Sequence, residues 1–171
     1  MYKNSHDKSG KSASKGAAAE QRFEKLLEAN NIPFEKSDKK TDMLKHVDYF
    51  FLLDGYSFSV DVKARKKVYP KDTEPNDDLI WIELHGVNEG NNGWLYGGDA
   101  NLIAFETAKG FVFIDRPTLI KLVDNLVDKT TRVREPEQAL YRIYQRAGRL
   151  DELSLIEMKK IREYICMELI E

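Results

Sequence analysis

The stretch from Val47 to Ala64 constrains this chain more than any other. Two β-rich runs, Val47 to Leu53 and Tyr56 to Ala64, are separated by Asp54-Gly55. That dipeptide suits the two positive-φ positions of a type I′ turn, the usual two-residue link of a β-hairpin. A two-residue loop fixes the register: Leu53 faces Tyr56, Leu52 faces Ser57, and so on down the ladder. Side chains alternate faces along a strand. One face then carries Val47, Tyr49, Phe51, Leu53, Tyr56, Phe58, Val60 and Val62. This nearly unbroken apolar surface belongs in a core, and a slip of one residue would turn all of it to water. The same register sets Asp48 directly opposite Asp61, with Lys63 on the same face.

Two carboxylates opposed across a hairpin repel and destabilise it. Something has to compensate them. A divalent cation does so naturally, because Mg²⁺ takes hard oxygen ligands from one or two carboxylates plus substrate phosphate. The other reading is that Lys63 alone neutralises the pair as a surface salt bridge, which needs neither cleft nor metal.

Around the hairpin the pattern is helix, strands, helices. Ala19, Phe23, Leu26 and Leu27 form an apolar stripe at helical spacing, so a first helix is expected from about Ala13 or Gly16 to Ala29, ended by Asn30-Asn31 and Pro33. Residues from Glu35 to Lys45 read as a polar loop. Leu79 to His85, Trp94 to Tyr96, Leu102 to Glu106 and Phe111 to Asp115 are strand candidates. Pro117 suits the start of a helix running to about Asp128. Two further helices are expected, about Glu137 to Ala147 and Asp151 to Leu169. The order fits an α/β domain with a mixed central sheet flanked by helices. It divides into a flexible basic arm (1–15), a core (16–130) and a C-terminal helical extension (131–171).

At 171 residues, 42% of them hydrophobic, the chain can bury one real core. One cysteine excludes an intrachain disulfide or a cysteine-rich zinc site and fits a reducing, cytoplasmic setting. No apolar run approaches membrane-spanning length, and Met1 to Lys15 lacks the apolar stretch of a secretory signal. The net charge of −2 argues against a protein that simply coats nucleic acid. Residues 1–71 nevertheless balance at +5 and residues 72–171 at −7, with no Lys or Arg between Lys71 and Lys109. Either the protein has a basic and an acidic face, or this is fluctuation in a solvated surface.

An Asp at the start of one strand, followed by Asp-x-Lys on the next, resembles the PD-(D/E)xK signature of restriction-endonuclease-like nucleases. Here the residues are Val47-Asp48 and Asp61-Val62-Lys63, with Val47 where proline is usual. Lys15-Gly16-Ala17-Ala18-Ala19-Glu20, then Asp48, then Asp61-Val62-Lys63-Ala64-Arg65-Lys66 is similar to archaeal-type Holliday junction resolvases and related phage nucleases. The resemblance covers roughly the first half of the chain and implies a restriction-endonuclease-like core. It further implies a metal-dependent endonuclease that hydrolyses DNA phosphodiester bonds inside a cell. Glu20, Asp48, Asp61 and the Val62 carbonyl would hold Mg²⁺, or Mn²⁺ in its place, and Lys63 would orient the attacking water or stabilise charge on the phosphate. Glu20 shares a helix side with Phe23 and Leu27, where a carboxylate is costly without a partner; a Glu at the stripe's edge that reaches water is the alternative.

Arg65, Lys66 and Lys67 form a basic cluster beyond the active strand, suited to phosphates or simply a solvated strand end. Arg142, Arg146 and Arg149 would make one basic stripe on a helix, for a phosphate backbone or for acidic neighbours. Lys15 and the arm before it could order on DNA. Trp81 and Trp94 are expected to pack in the core rather than stack on bases. Cys166 is expected in the core of the last helix. The five glycines between Gly86 and Gly98 lack the Walker lysine and the dinucleotide spacing, so they read as loop and turn. A resolvase cuts two opposed strands of branched DNA, which calls for a homodimer. A less selective DNase on duplex DNA and a binding module without activity are the competing functions.

Overall fold

The computed structural model describes residues 11–69 and 71–171. The elements run α1 (Lys11–Ala29), β1 (Phe34–Lys36), α2 (Lys39–Lys45), β2 (Tyr49–Leu53), β3 (Tyr56–Lys63), β4 (Leu79–His85), α3 (Gly93–Gly97), β5 (Leu102–Thr107), β6 (Gly110–Asp115), α4 (Arg116–Leu126), β7 (Asp128–Val133), β8 (Arg142–Tyr144), β9 (Glu152–Glu157), α5 (Met158–Ile161) and β10 (Met167–Ile170).

The hairpin has the expected turn and register. Asp54 and Gly55 take φ of 50° and 82°, and the ladder runs from Leu53 opposite Tyr56 to Tyr49 opposite Val60. Its apolar face is buried at Tyr49, Phe51, Val60 and Val62, while Tyr56 at the tip is exposed. The hairpin sits in a six-stranded mixed sheet of order β1-β2-β3-β5-β6-β10, in which only β3 and β5 run parallel. Helix α1 covers one face of it. Phe23 is the centre of that contact, with its ring 5.4 Å from Tyr49, 5.1 Å from Phe111 and 5.8 Å from Phe113. Burying such a ring contributes about 1.5–3 kcal/mol. The helix ends where expected: Asn31 turns to φ 55° and Ile32 donates its N–H back to Leu27.

The opposite face of the sheet packs Ile103, Phe105 and Ile114 against α3, α4 and a second sheet of order β4-β9-β8-β7. Ile82, Leu84, Ile143 and Ile156 are the second sheet's contribution to this core. Helix α4 starts at a cap in which Thr118 N–H donates to the Asp115 carboxylate, with Pro117 in its first turn. No helix among the described residues is long and apolar enough to cross a membrane.

Several sequence expectations are corrected. Residues 39–45 are a helix, because Asp38 accepts from the N–H groups of Lys40 and Thr41 and caps it. Trp94 to Tyr96 lie on α3, not on a strand. The arm expected over 1–15 is already helical from Lys11, while residues 1–10, with Lys3 and Lys8, lie outside the described residues. The C-terminal extension is built on strands β8 to β10 with only short helical turns such as α5, not on two helices. Tyr141 has φ 55°, which breaks a helix over 137–147 and starts β8. Residues 152–157 form β9, paired with β4 from Leu79–Glu157 to Glu83–Leu153. Sheet pairing that buries Leu155 and Ile156 on opposite sides overrides the helix propensity of that segment. Cys166 follows as an exposed residue just before β10, outside any helix.

Candidate active site

Asp48 lies one residue before β2 and continues its ladder, its N–H donating to the Val60 carbonyl at 2.9 Å. That places it across from Asp61 in the middle of β3. Both are buried, Asp48 at 9% exposure and Asp61 at 2%. They sit on the face away from α1, beside the parallel partners Ile103 and Phe105 of β5. Asp48 Oδ2 accepts the Val62 N–H at 2.7 Å. Lys63 Nζ lies 2.6 Å from Asp61 Oδ1 and 4.8 Å over the ring of Trp94. Asp61 Oδ2 is buried and has no hydrogen-bond partner among the described residues.

This geometry raises both carboxyls. Burial pushes Asp48 up to about 8, the charge of Asp61 pushes the same way, and the Val62 N–H and Lys63 oppose them. Asp61 is raised by burial against the pull of Lys63. Burial and mutual repulsion both favour the protonated form of such a pair unless further positive charge arrives. The Lys63–Asp61 ion pair is thus a buried one and not a surface salt bridge. His46 ends α2 at φ 49° and is half-buried. Burial and the nearby Lys63 hold its imidazole below its usual range, opposed by Asp61 and Glu83.

The other sequence candidates are brought together only in part. Glu20 is engaged by Lys36, whose Nζ lies 2.8 Å from Oε2 and 3.2 Å from the Tyr49 hydroxyl. Among the described residues no three His, Cys, Asp or Glu side chains gather as a metal cluster. The charge of Glu20 nevertheless reaches Asp48 and helps to raise it. Lys36 was not visible as its partner, because β1 and its register carry no sequence signal.

Arg65 is committed to structure. Its guanidinium lies 2.6 Å from Asp77, and its backbone N–H donates to the Glu106 carboxylate at 2.9 Å. Lys66 and Lys67 are exposed just beyond β3. Lys66 lines a cleft with Lys63, Trp81 and Trp94. It is open to water yet crowded by protein, and that crowding lowers its pKa, followed by the charge of Lys63, with Glu83 opposing and Lys15 and Arg146 adding to the depression. Arg142, Arg146 and Arg149 do not form a helical stripe: Arg142 is exposed on β8, Arg146 pairs with the buried Asp151, and Arg149 lies in the following turn. Lys15 stays exposed on α1. Trp94 is buried as expected, but Trp81 is only half-buried.

A divalent cation is compatible with these residues. The donor set is hard oxygen, and the buried, unpartnered Asp61 Oδ2 is an acceptor that lacks a positive partner. Compared with family models, with curated proteins and with solved structures, the chain gives no match.

Proposed function

We propose that this chain is a metal-dependent nuclease of the PD-(D/E)xK type that hydrolyses DNA phosphodiester bonds. Asp48 and Asp61 would hold Mg²⁺ or Mn²⁺. The observation that carries the reading is the buried Asp48–Asp61 pair with one oxygen unpartnered and Lys63 alongside. The bound cation would lower the pKa of a water and polarise the scissile phosphate. The chain's own residues do the rest. The Val62 N–H fixes the Asp48 carboxylate, and the β2–β3 ladder holds it opposite Asp61. Lys63, steadied over Trp94, supplies a fixed positive charge where negative charge develops on the phosphate. Lys66 lines the cleft, Lys67 follows it as an exposed residue, and the two would meet the phosphodiester backbone. The restriction-endonuclease-like core, the homodimer, the branched-DNA preference of a junction resolvase and the cytoplasmic setting belong to the same proposal.

One observation favours a second reading. Lys63 and a shared proton can neutralise the pair without metal, and no third acidic ligand joins it among the described residues. The chain would then be a DNA- or protein-binding module with a structural charge cluster. Labelled four-way junction, linear duplex and single strand, each with Mg²⁺, Mn²⁺ or EDTA, separate the two. Metal-dependent cleavage that disappears in Asp61→Ala supports the nuclease, and the preferred substrate distinguishes a resolvase from a general DNase. Folded protein that cleaves nothing in either metal rejects it in favour of the binding module.

A further inference from the structure

The second sheet turns an unexpected residue toward the cleft. Along β4, Ile82 and Leu84 go down into the core, which sends Trp81 and Glu83 to the other side. Trp81 is not consumed by packing. It rests on the small cluster of Val68, Ala139 and Leu155 and keeps part of its ring at the surface. Its ring centroid lies 5.5 Å from that of Tyr144 on β8, at an interplanar angle of 39°. Its indole N–H donates to the Lys67 carbonyl at 3.3 Å. The indole is therefore held from three directions by groups that fix its orientation.

Trp81 shares a cleft with Lys63, the ion-pair partner of Asp61. Trp81, Lys63 and Lys66 line one cleft. The backbone that anchors the indole is that of Lys67, whose side chain is exposed. Arg146 follows Tyr144 by two residues, and its charge together with that of Lys15 reaches Lys66. Glu83, Asp151 and the cleft-lining Asp77 and Glu106 offset part of this positive charge, while Lys66 and Lys67 form no ion pair among the described residues.

A basic surface alone binds any polyanion and does not distinguish duplex from single strand. An oriented, partly exposed indole next to lysines does distinguish them. In a duplex the base faces are stacked on one another, so only unpaired bases can use an aromatic side chain. We propose that Trp81 and Tyr144 form a stacking platform for unpaired bases of a DNA segment whose backbone lies along Lys66 and Lys67, so that the preferred substrate is single-stranded beside the scissile phosphate. The cleft itself holds the phosphate end of the substrate and the platform its neighbouring base. This rests on the nuclease reading for the word scissile, but the platform is tested without cleavage.

The test is anisotropy of a labelled single-stranded DNA with the full chain in EDTA, with the matching duplex measured in parallel. The variants are Trp81→Leu, Trp81→Phe and Tyr144→Leu, each checked for folding by circular dichroism. Trp81→Leu is expected to weaken single-strand binding on the order of tenfold while duplex binding stays unchanged. Trp81→Phe retains most of the affinity but loses the tryptophan quenching that single strand causes in the parent. Tyr144→Leu acts on the second ring and gives an independent answer if Trp81→Leu does not fold. Folded leucine variants that bind single strand as tightly as the parent, or that lose single strand and duplex alike, overturn the platform. Tighter binding of single-stranded RNA through the same two rings overturns its assignment to DNA. If nothing is cleaved yet Trp81→Leu loses single-strand binding, the nuclease reading is rejected and the platform stands. If cleavage is metal-dependent but binding ignores both rings, only the platform is rejected.

Discussion

Lys63 grips one oxygen of Asp61 at 2.6 Å, while the other oxygen of that carboxylate, equally buried, has no partner among the described residues. The lysine is a counter-ion that leaves half of the carboxylate uncommitted. Lys63→Met keeps an apolar stem against Trp94 and removes the charge. Turnover of a DNA substrate at saturating Mg²⁺ is expected to fall on the order of 10²–10³-fold, the scale for losing one group aimed at developing charge. Mn²⁺ affinity, measured by calorimetry, is expected to hold or rise, since a competitor for Asp61 has gone. Loss of metal affinity along with turnover would mean that Lys63 orders the carboxylates instead of acting on the phosphate.

The acidic pair also sets a pH dependence. Asp48 is raised to about 8 and Asp61 is raised as well. A carboxyl raised above its unfolded value keeps a proton in the native state that the unfolded chain releases. Its contribution to stability is therefore full at low pH and declines as pH rises from the ordinary carboxylate range toward the folded value. Metal-free protein is expected to melt at progressively lower temperature from roughly pH 5 to pH 8. Mg²⁺ binds the deprotonated pair, so the stabilisation it adds grows over the same window. Asp48→Asn flattens both trends. Scanning fluorimetry in EDTA and in Mg²⁺ measures them, and a parent whose pH profile matches that of Asp48→Asn would show that the pair carries no shared proton.

Glu20 offers a contrast with the pair. It is bound by Lys36 in an ion pair whose lysine is exposed and whose carboxylate is partly covered. Glu20→Gln is expected to cost less than about 1 kcal/mol of stability, as exposed pairs do. It is also expected to leave most of the cleavage activity, where Asp48→Asn removes it. Complete loss of activity in a stable Glu20→Gln would show that the carboxylate leaves Lys36 to join the metal during turnover.

The hairpin was legible because three local signals agree: the Asp54-Gly55 turn, the period-two apolar face and its continuity from Val47 to Val62. Agreement of that kind places Asp48 against Asp61 without tertiary information. The C-terminal strands were not legible. Residues 152–157 read as helix because their partner, β4, lies some 70 positions earlier in the chain, and propensity does not report such pairing. The same blindness hid the role of Trp81. Its apolar neighbours Ile80 and Ile82 point to a core, and only the pairing of β4 with β9 reveals which side of the sheet it occupies. Arg146 was misplaced for a related reason, since its partner Asp151 is brought to it by a turn and not by helical spacing.

Gly93 ties this second layer to the site. It has φ 64°, and a Cβ there would meet the Glu83 carbonyl at 2.9 Å and the His85 N at 3.0 Å. Both are backbone atoms of β4, which cannot swing aside as a side chain can. Gly90 makes the internal control, with φ 74° and nothing within 4 Å of a new Cβ. Gly90→Ala therefore carries only the left-handed backbone penalty, roughly 1–2 kcal/mol. Gly93→Ala carries the same penalty plus the clash, and the clash lifts α3 from β4. Trp94 is the next residue, and it lies beneath Lys63. Gly93→Ala is thus expected to lower the melting temperature more than Gly90→Ala does, and to reduce turnover where Gly90→Ala leaves it unchanged. Equal loss of stability in the two variants would mean that α3 does not need its close approach to β4. Equal turnover would mean that the seat of Lys63 on Trp94 is dispensable for the chemistry.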